Sequence, residues 1–231
     1  MGIARCVALI FVFVSFTSGA WADSTIRVGI SEGVDGLVDH SEGKLQGSLS
    51  SLYECVFEKS GLEPQYVSIP LKRGLYYLER GHLDALLPLA RTAERDDSLV
   101  FAGELIRAEY SYVSFKPLPI SLESMSLTFG LVRGFVGHVF IPESASNIEE
   151  VTSWSQLVPM LERGRIDVSV IPSMLVEKVL GERAKEAFIQ RAGELAASLY
   201  ISPRLELTNI SFRIMSSVES CRPQSEVLSS L

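Results

Sequence analysis

The sequence predicts an α/β protein made of two related lobes, and a phrase that occurs twice carries the prediction. Residues 78–84 read Leu-Glu-Arg-Gly-His-Leu-Asp, and residues 161–167 read Leu-Glu-Arg-Gly-Arg-Ile-Asp. Each copy follows apolar residues at helical spacing and precedes a short apolar run, which indicates a helix, a glycine stop and a buried strand. Two such helix ends can arise by chance, but the flanking periodicity repeats as well, which favours two lobes of one design.

The first lobe is predicted from strands that alternate with helices. Its elements are a strand at 25–30, a glycine-rich loop at 31–47, a helix at 46–60 stopped by Gly61, strands at 65–69 and 83–87 around a helix at 71–80, and a strand at 110–115. The polar segment 90–97 follows a buried strand. Ligands of open α/β sheets bind beyond the carboxyl ends of the strands, so this segment and the pair Ser31-Glu32 are the first places to look for a site.

The second lobe repeats the alternation after a linker rich in proline. Its elements are a strand at 127–132, a turn at 133–134, a short helix or loop at 135–140, a strand at 148–152, a helix from 153 to Gly164, a strand at 166–171, a helix at 173–185 and a return strand at 199–201. The tail, 204–231, fits either a strand or a helix by its apolar spacing.

The N-terminal residues have the three parts of a secretory signal peptide. Arg5 supplies a positive charge, residues 6–16 are apolar, and small residues lead to a cleavage site after Ala22. The alternative is a retained membrane anchor. An anchor needs about 20 apolar residues, and the apolar run here is too short for that. The net charge of −7 argues against nucleic acid or an anionic membrane as the main partner.

Cysteines and histidines are few. Cys55 and Cys221 lie beyond the signal peptide, and an oxidising compartment would allow them to join. The sequence slightly favours two separate thiols, one half-buried and one in the tail. His40, His82 and His138 have no ligand spacing, so neither a metal site nor a cofactor is predicted.

Several short motifs occur in an order that resembles the family 3 extracellular solute-binding proteins, the amino-acid-binding type. The resemblance runs from about Ile26 to Tyr200 and rests on the strand 26–30, the turn 42–47, the helix start 70–73, the Leu78/Gly81/Asp84 element, the Thr92/Arg95 element and the turn 130–134. It implies a two-lobed periplasmic binding protein type II fold, in which each lobe is a mixed sheet with helices on both faces. Two hinge strands would join the lobes.

That resemblance also implies the division of the chain. The expected parts are a signal peptide at 1–22, lobe 1 at 23–113 and 200–231, lobe 2 at 118–197, and hinges at 114–117 and 198–199. Such a protein closes its lobes around a ligand by hinge bending.

Arg95 is the first candidate for ligand binding. In the family, the matching arginine holds a ligand carboxylate, and a guanidinium suits that task because it forks onto two oxygens. Thr92 would add a donor beside it. The alternative for Arg95 is a surface charge paired with Glu94, Asp96 or Asp97.

Five further candidates surround this pair. They are Arg73 at a helix start, Glu32 after the first strand, Arg133 and Phe135 in the turn of the second lobe, and Ser173. Arg73 is a second anion contact or a solvated side chain, and Glu32 is an ammonium contact or a loop acid. Pro172 stands where amino-acid binders of the family carry the aspartate for the ligand ammonium. A standard α-amino acid therefore fits poorly. A carboxylate or other small anion without that amine fits better, as does a peptide-like or aromatic compound resting on Phe135.

The function expected from the resemblance is capture of a small, polar, carboxylate-bearing solute in the periplasm for an ABC importer or a sensor. The protein would be a monomer, would bind no nucleic acid, would need no cofactor and would catalyse no reaction. Two alternatives stay open. One is an enzyme on the same scaffold, similar to a cyclohexadienyl dehydratase, with Glu32 as acid or base. The other is an interaction module without a ligand.

Overall fold

The computed structural model describes residues 25–34, 36–122, 126–143 and 147–223. The predicted signal peptide and the last eight residues of the predicted tail lie outside the described residues. The described residues form ten strands and six α-helices. The strands are β1 Thr25–Ser31, β2 Asp39–Ser41, β3 Lys44–Gln46, β4 Glu63–Ile69, β5 Ala85–Ala90, β6 Val100–Ser114, β7 Thr128–Val132, β8 Asn147–Val151, β9 Val168–Pro172 and β10 Phe188–Ile201. The helices are α1 Ser50–Ser60, α2 Leu71–Glu79, α3 Ala93–Ser98, α4 Leu157–Glu162, α5 Val176–Leu180 and α6 Asn209–Cys221.

Eight strands form one sheet whose two ends have the same arrangement. The order is β4-β1-β5-β10-β6-β9-β7-β8. β1 lies parallel to β4 and β5, and β7 lies parallel to β8 and β9. We call β4-β1-β5 with its helices the first half and β9-β7-β8 with its helices the second half. The mixed α/β architecture predicted from the sequence is therefore confirmed.

Two long antiparallel strands join the halves. β6 and β10 pair from Phe188 opposite Ser114 to Ile201 opposite Val100. The sequence predicted only 199–201 of β10 as strand, because the alanines and charged residues of 190–197 show no alternation. The predicted helix at 173–185, by contrast, was too long, because α5 covers only five residues and short 3-10 turns flank it.

The repeated phrase has one structural role in both halves. Asp84 Oδ2 accepts a hydrogen bond from the Arg27 backbone N–H at 2.8 Å, and the Asp84 N–H donates to the Arg27 carbonyl at 2.8 Å. Asp167 makes the same two bonds with Thr128, at 3.0 and 2.8 Å. Each aspartate therefore joins the starts of two parallel strands, which explains why the phrase ends in an aspartate in both copies.

The two aspartates differ in burial, which gives a test of this role. The Asp84 side chain is 6% exposed and also pairs with Arg204, whereas the Asp167 side chain is 32% exposed and has Lys116 at 3.6 Å. We expect Asp84→Ala to lower the free energy of unfolding by about 2–3 kcal/mol and Asp167→Ala by about 1 kcal/mol, because a buried donor left without its acceptor costs more. Urea unfolding of both variants measures the difference, and equal losses would contradict it.

The tail forms a helix that packs on α1. Thr208 caps α6, since its Oγ1 accepts from the Ser211 backbone N–H at 3.3 Å. Arg213 Nε donates to the Ser60 carbonyl at 2.6 Å, and its Nη2 donates to the Gly61 carbonyl at 2.7 Å. The structure thus decides the helix over the strand for residues 209–221.

A disulfide joins Cys55 of α1 to Cys221 of α6. The preference for two separate thiols was wrong. The two cysteines lie 166 residues apart in the sequence, and local patterns do not tell which helix covers which. Helix packing brings their Cα atoms to 6.0 Å, inside the range that a disulfide spans.

Candidate functional site

Two adjoining cavities lie between the halves. The inner cavity has a volume of about 70 Å³ and is mostly enclosed by apolar side chains. The outer cavity is an open cleft of about 890 Å³ with many charged residues. The residues that line both are Glu32, Leu71, Arg95, Val132 and Phe135. The two cavities therefore form one cleft with an apolar floor and a polar mouth.

Arg95 lies where the two cavities meet, and the local structure holds it there. Thr92 is the N-cap of α3, and its Oγ1 accepts from the Arg95 backbone N–H at 3.2 Å. The side chain turns inward: Nη1 donates to the Ala90 carbonyl at 2.6 Å and Nη2 donates to the Gly134 carbonyl at 3.2 Å. Because Ala90 ends β5 and Gly134 follows β7, the guanidinium connects the two halves.

The charge of Arg95 has no counter-ion in the described part of the chain. The residue is only 8% exposed, and no carboxylate of a described residue lies within 4.0 Å of the guanidinium. Asp96, a partner considered from the sequence, instead accepts from Arg91 at 2.9 Å and from the Tyr200 hydroxyl at 2.6 Å. Burial lowers the pKa of Arg95 from its ordinary value. An arginine still keeps its proton, and the two carbonyl bonds use two of its five N–H donors.

Aromatic side chains form much of the inner wall. Phe135 contacts Trp154, with ring centroids 4.8 Å apart, and Tyr110, with centroids 5.8 Å apart. Burial raises the pKa of Tyr110 to about 12, while the positive charge of Arg95 acts in the opposite direction. Phe135 was predicted from the sequence. Tyr110 and Trp154 were missed, because each occupies an ordinary apolar position of its own element.

The remaining predicted charges line the outer cleft. Arg133 donates from Nε to Glu150 Oε2 at 3.2 Å, so it is paired within the second half. Arg73 forms no ion pair with any described residue. Glu32 has an exposed side chain, and its backbone N–H donates to the Ile69 carbonyl at 3.1 Å.

Six of the seven predicted site residues line at least one cavity, and Ser173 lines neither. The Ser173 hydroxyl lies 2.8 Å from that of Ser111, whereas its neighbours Pro172 and Met174 do line the inner cavity. The structure therefore gathers the predicted residues around one cleft, and their roles in ligand binding stay predictions.

The sequence pointed to Ser31 together with Glu32 as a place to look for a site, but did not include Ser31 among the ligand-binding candidates. This serine ends β1, is 4% exposed and lines the inner cavity. Its Oγ has no hydrogen-bond partner among the described residues. Its position next to the candidate Glu32 was the one available signal, and nothing in the spacing of the residues marked its hydroxyl as unpaired.

The halves touch on both sides of the cleft. Gly33 lies against the Trp154 ring, and a Cβ built on Gly33 would be 2.8 Å from that ring. Gly134, whose φ is +81°, lies against the Lys72 backbone, which a Cβ would approach to 3.3 Å. A side chain at either position would hold the halves apart, so glycine allows the cleft to be closed.

The described residues contain no group of three or more histidines, cysteines and acids placed to hold a metal ion. Their helices also include none that is long and apolar enough to cross a bilayer.

No protein-family model matches the sequence, and no curated protein matches it. Solved structures do match. An ancestral arginine-binding protein bound to arginine superposes with a TM-score of 0.71 at 18% identity, over 85% of this chain and 92% of that chain. The substrate binding protein of an amino acid ABC transporter gives a TM-score of 0.69 at 16% identity, over 85% of this chain and 92% of that chain.

A histidine kinase sensor domain with similarity to periplasmic binding proteins gives a TM-score of 0.74 at 15% identity, over 86% of this chain and 90% of that chain. Identities this low establish the fold alone, and the fold agrees among the three. The chain has the two-lobed, type II fold of the periplasmic binding proteins.

Proposed function

We propose that this protein is a periplasmic solute-binding protein of the family 3 type, which captures a small carboxylate-bearing solute between its halves for an ABC importer or a sensor. One observation carries the proposal. The buried Arg95 guanidinium lies where the two cavities meet, and it forms no ion pair with a carboxylate of a described residue.

The chemistry of Arg95 favours an anion as the ligand. A buried cation loses its hydration, and a carboxylate restores both a counter-charge and hydrogen-bond acceptors for the unused N–H donors. Thr92 and the unpaired Arg73 line the outer cleft, where Arg73 would attract the anion as it enters. Arg133 is already paired with Glu150 and would contribute less to the attraction of the anion.

Movement of the halves would admit and release the solute. The contacts of Gly33 with Trp154 and of Gly134 with Lys72 close the cleft, and bending of the connecting segments would open it. We place the hinges at 114–117 and 198–199, between lobe 1 (23–113 and 200–231) and lobe 2 (118–197).

Binding is favoured over catalysis. The matched structures carry the names of binding proteins and of a sensor domain. An enzyme would need an acid or base held against the substrate, and Glu32, the one carboxylate among the described residues that line the inner cavity, has an exposed side chain. The predicted signal peptide and the disulfide are consistent with an oxidising compartment outside the cytoplasm.

Thermal melting of residues 23–231 against a library of amino acids, organic acids, inorganic anions, sugars and polyamines tests this function. A ligand at 100 times its Kd adds about 2.7 kcal/mol to the free energy of unfolding, which for a chain of this size raises the Tm by about 5–10 °C. We expect the hits to be carboxylates. Hits confined to sugars or cations, or no hit in the whole library, would contradict the proposal.

A further inference from the structure

Resting on that function, we infer that the ligand is a short aliphatic monocarboxylate without an ammonium group. Arg95 and Ser31 together would hold its carboxylate, and the inner cavity would take its apolar tail. Three features of the cleft lead to this ligand: the unpaired Ser31 hydroxyl, the size and apolar walls of the inner cavity, and the distribution of acids.

The Ser31 hydroxyl is a buried polar group that needs a partner. Its Oγ is unpaired among the described residues, although the residue is 4% exposed. A buried hydroxyl without a hydrogen bond costs about 1–3 kcal/mol. Such groups are rare in folded proteins, and each calls for an explanation. A ligand oxygen in the inner cavity, which Ser31 lines, would supply the missing partner.

Ser31 and Arg95 suit the same ligand group. The Arg95 guanidinium has unused N–H donors at the boundary of the inner cavity, and Ser31, a wall residue of that cavity, carries an O–H donor without a described partner. A carboxylate has two oxygens that only accept hydrogen bonds, so one carboxylate can satisfy both side chains. The charged end of the ligand would therefore lie against Arg95 and Ser31, with the tail on the apolar side.

The rest of the inner cavity is apolar and small. Its other walls come mainly from aliphatic and aromatic side chains, among them Val34, Leu37, Leu49, Ile106 and Val136. A cavity of about 150 Å³ in another protein holds benzene. The 70 Å³ here therefore suits a short branched alkyl group better than a ring.

The distribution of acids excludes an ammonium group from the inner cavity. Among the described residues that line it, Glu32 is the only acid, and its side chain is exposed. Pro172 lines the cavity at the end of β9, where it offers no carboxylate. Moving an ammonium into this space without a counter-charge costs several kcal/mol, which a ligand without an amine avoids.

Isothermal titration with leucine and isocaproate tests the inference, because these acids share one branched tail and differ in the α-ammonium. We expect isocaproate to bind at least about 30-fold more tightly than leucine. Ser31→Ala should weaken isocaproate binding about tenfold, since one hydrogen bond to a charged group is lost. Ser68→Ala is the matched control. Ser68 is an exposed residue of β4 and lines neither cavity, so this variant should leave the affinity for isocaproate unchanged.

The melting temperature without ligand adds a second readout. Ser31→Ala removes an unpaired buried hydroxyl, so the unliganded variant should melt at the same temperature as the unmodified protein or a few degrees higher. If Ser31 had a purely structural role, Ser31→Ala would lower the melting temperature of the unliganded protein. A clear drop in that temperature would therefore overturn the assignment of the hydroxyl to the ligand.

The outcomes separate this inference from the proposed function. Tighter binding of leucine than of isocaproate, or an unchanged affinity of Ser31→Ala for isocaproate, would overturn the inference and leave carboxylate capture intact. Binding of neither acid, with hits only among carboxylates that carry an ammonium group or a ring, would also overturn only the inference. The proposed function itself fails when the whole library gives no carboxylate hit.

Discussion

Loss of the disulfide between Cys55 and Cys221 should lower the free energy of unfolding by about 4 kcal/mol and the Tm by about 10 °C. The bond closes a loop of 166 residues, and a cross-link over so long a loop removes much of the conformational freedom of the unfolded chain. It also holds α6 on α1. Differential scanning calorimetry of the protein with and without a thiol reductant measures the loss.

The double variant Cys55→Ser/Cys221→Ser serves as the control for the reductant. It should melt near the temperature of the reduced protein and should not respond to reductant. α6 should still pack in this variant, because Arg213 keeps its bonds to the Ser60 and Gly61 carbonyls. Equal melting of the oxidised and reduced proteins would contradict the prediction, as would an intact mass that shows two free thiols.

Arg95→Gln should weaken the binding of the strongest carboxylate hit by at least about 100-fold. Truncating one partner of a buried, hydrogen-bonded charge pair costs about 2–5 kcal/mol, and here the ligand would be left with a desolvated charge. Arg95→Lys keeps the charge but loses the planar fork, so we expect an intermediate loss of about tenfold. Isothermal titration of the three proteins with the same ligand gives the ratio.

Arg191→Gln is the matched control for the loss of one guanidinium. Arg191 pairs with Glu109 at 3.0 Å and with Glu194 at 3.1 Å on the exposed face of β10, away from both cavities. This variant should bind as tightly as the unmodified protein, and circular dichroism checks that both variants fold. Unchanged binding by Arg95→Gln would contradict the assignment of the ligand carboxylate to Arg95. Another cation of the cleft would then bind it, with Arg73 as the next candidate.

The repeated phrase shows how far local pattern reaches. Its glycines end helices in the left-handed region, with φ of 72° at Gly81 and 63° at Gly164, as the sequence predicts. The paired roles of Asp84 and Asp167 follow from the same repetition. Such features are predictable because helix ends, turns and strand starts depend on residues a few positions apart.

The site was predicted only in part. Thr92 and Arg95 were found because they match an element of the family that the sequence resembles, and because the buried strand before them marks a sheet edge. The bond from Arg95 to the Gly134 carbonyl was not foreseen, nor was the unpaired hydroxyl of Ser31. Ser173 was expected at the cleft, but the structure turns its hydroxyl toward Ser111.

The sequence by itself determined the α/β fold class and the two related halves, since both depend on short-range spacing, and its resemblance to a known family pointed to the charged residues of the cleft. Only the tertiary structure decided the length of β10, the disulfide between α1 and α6, and the apolar inner cavity with Ser31 on its wall. These features arise where residues far apart in the sequence come into contact. Burial and pairing there depend on how whole elements pack, and packing of that kind leaves no periodic trace in the sequence.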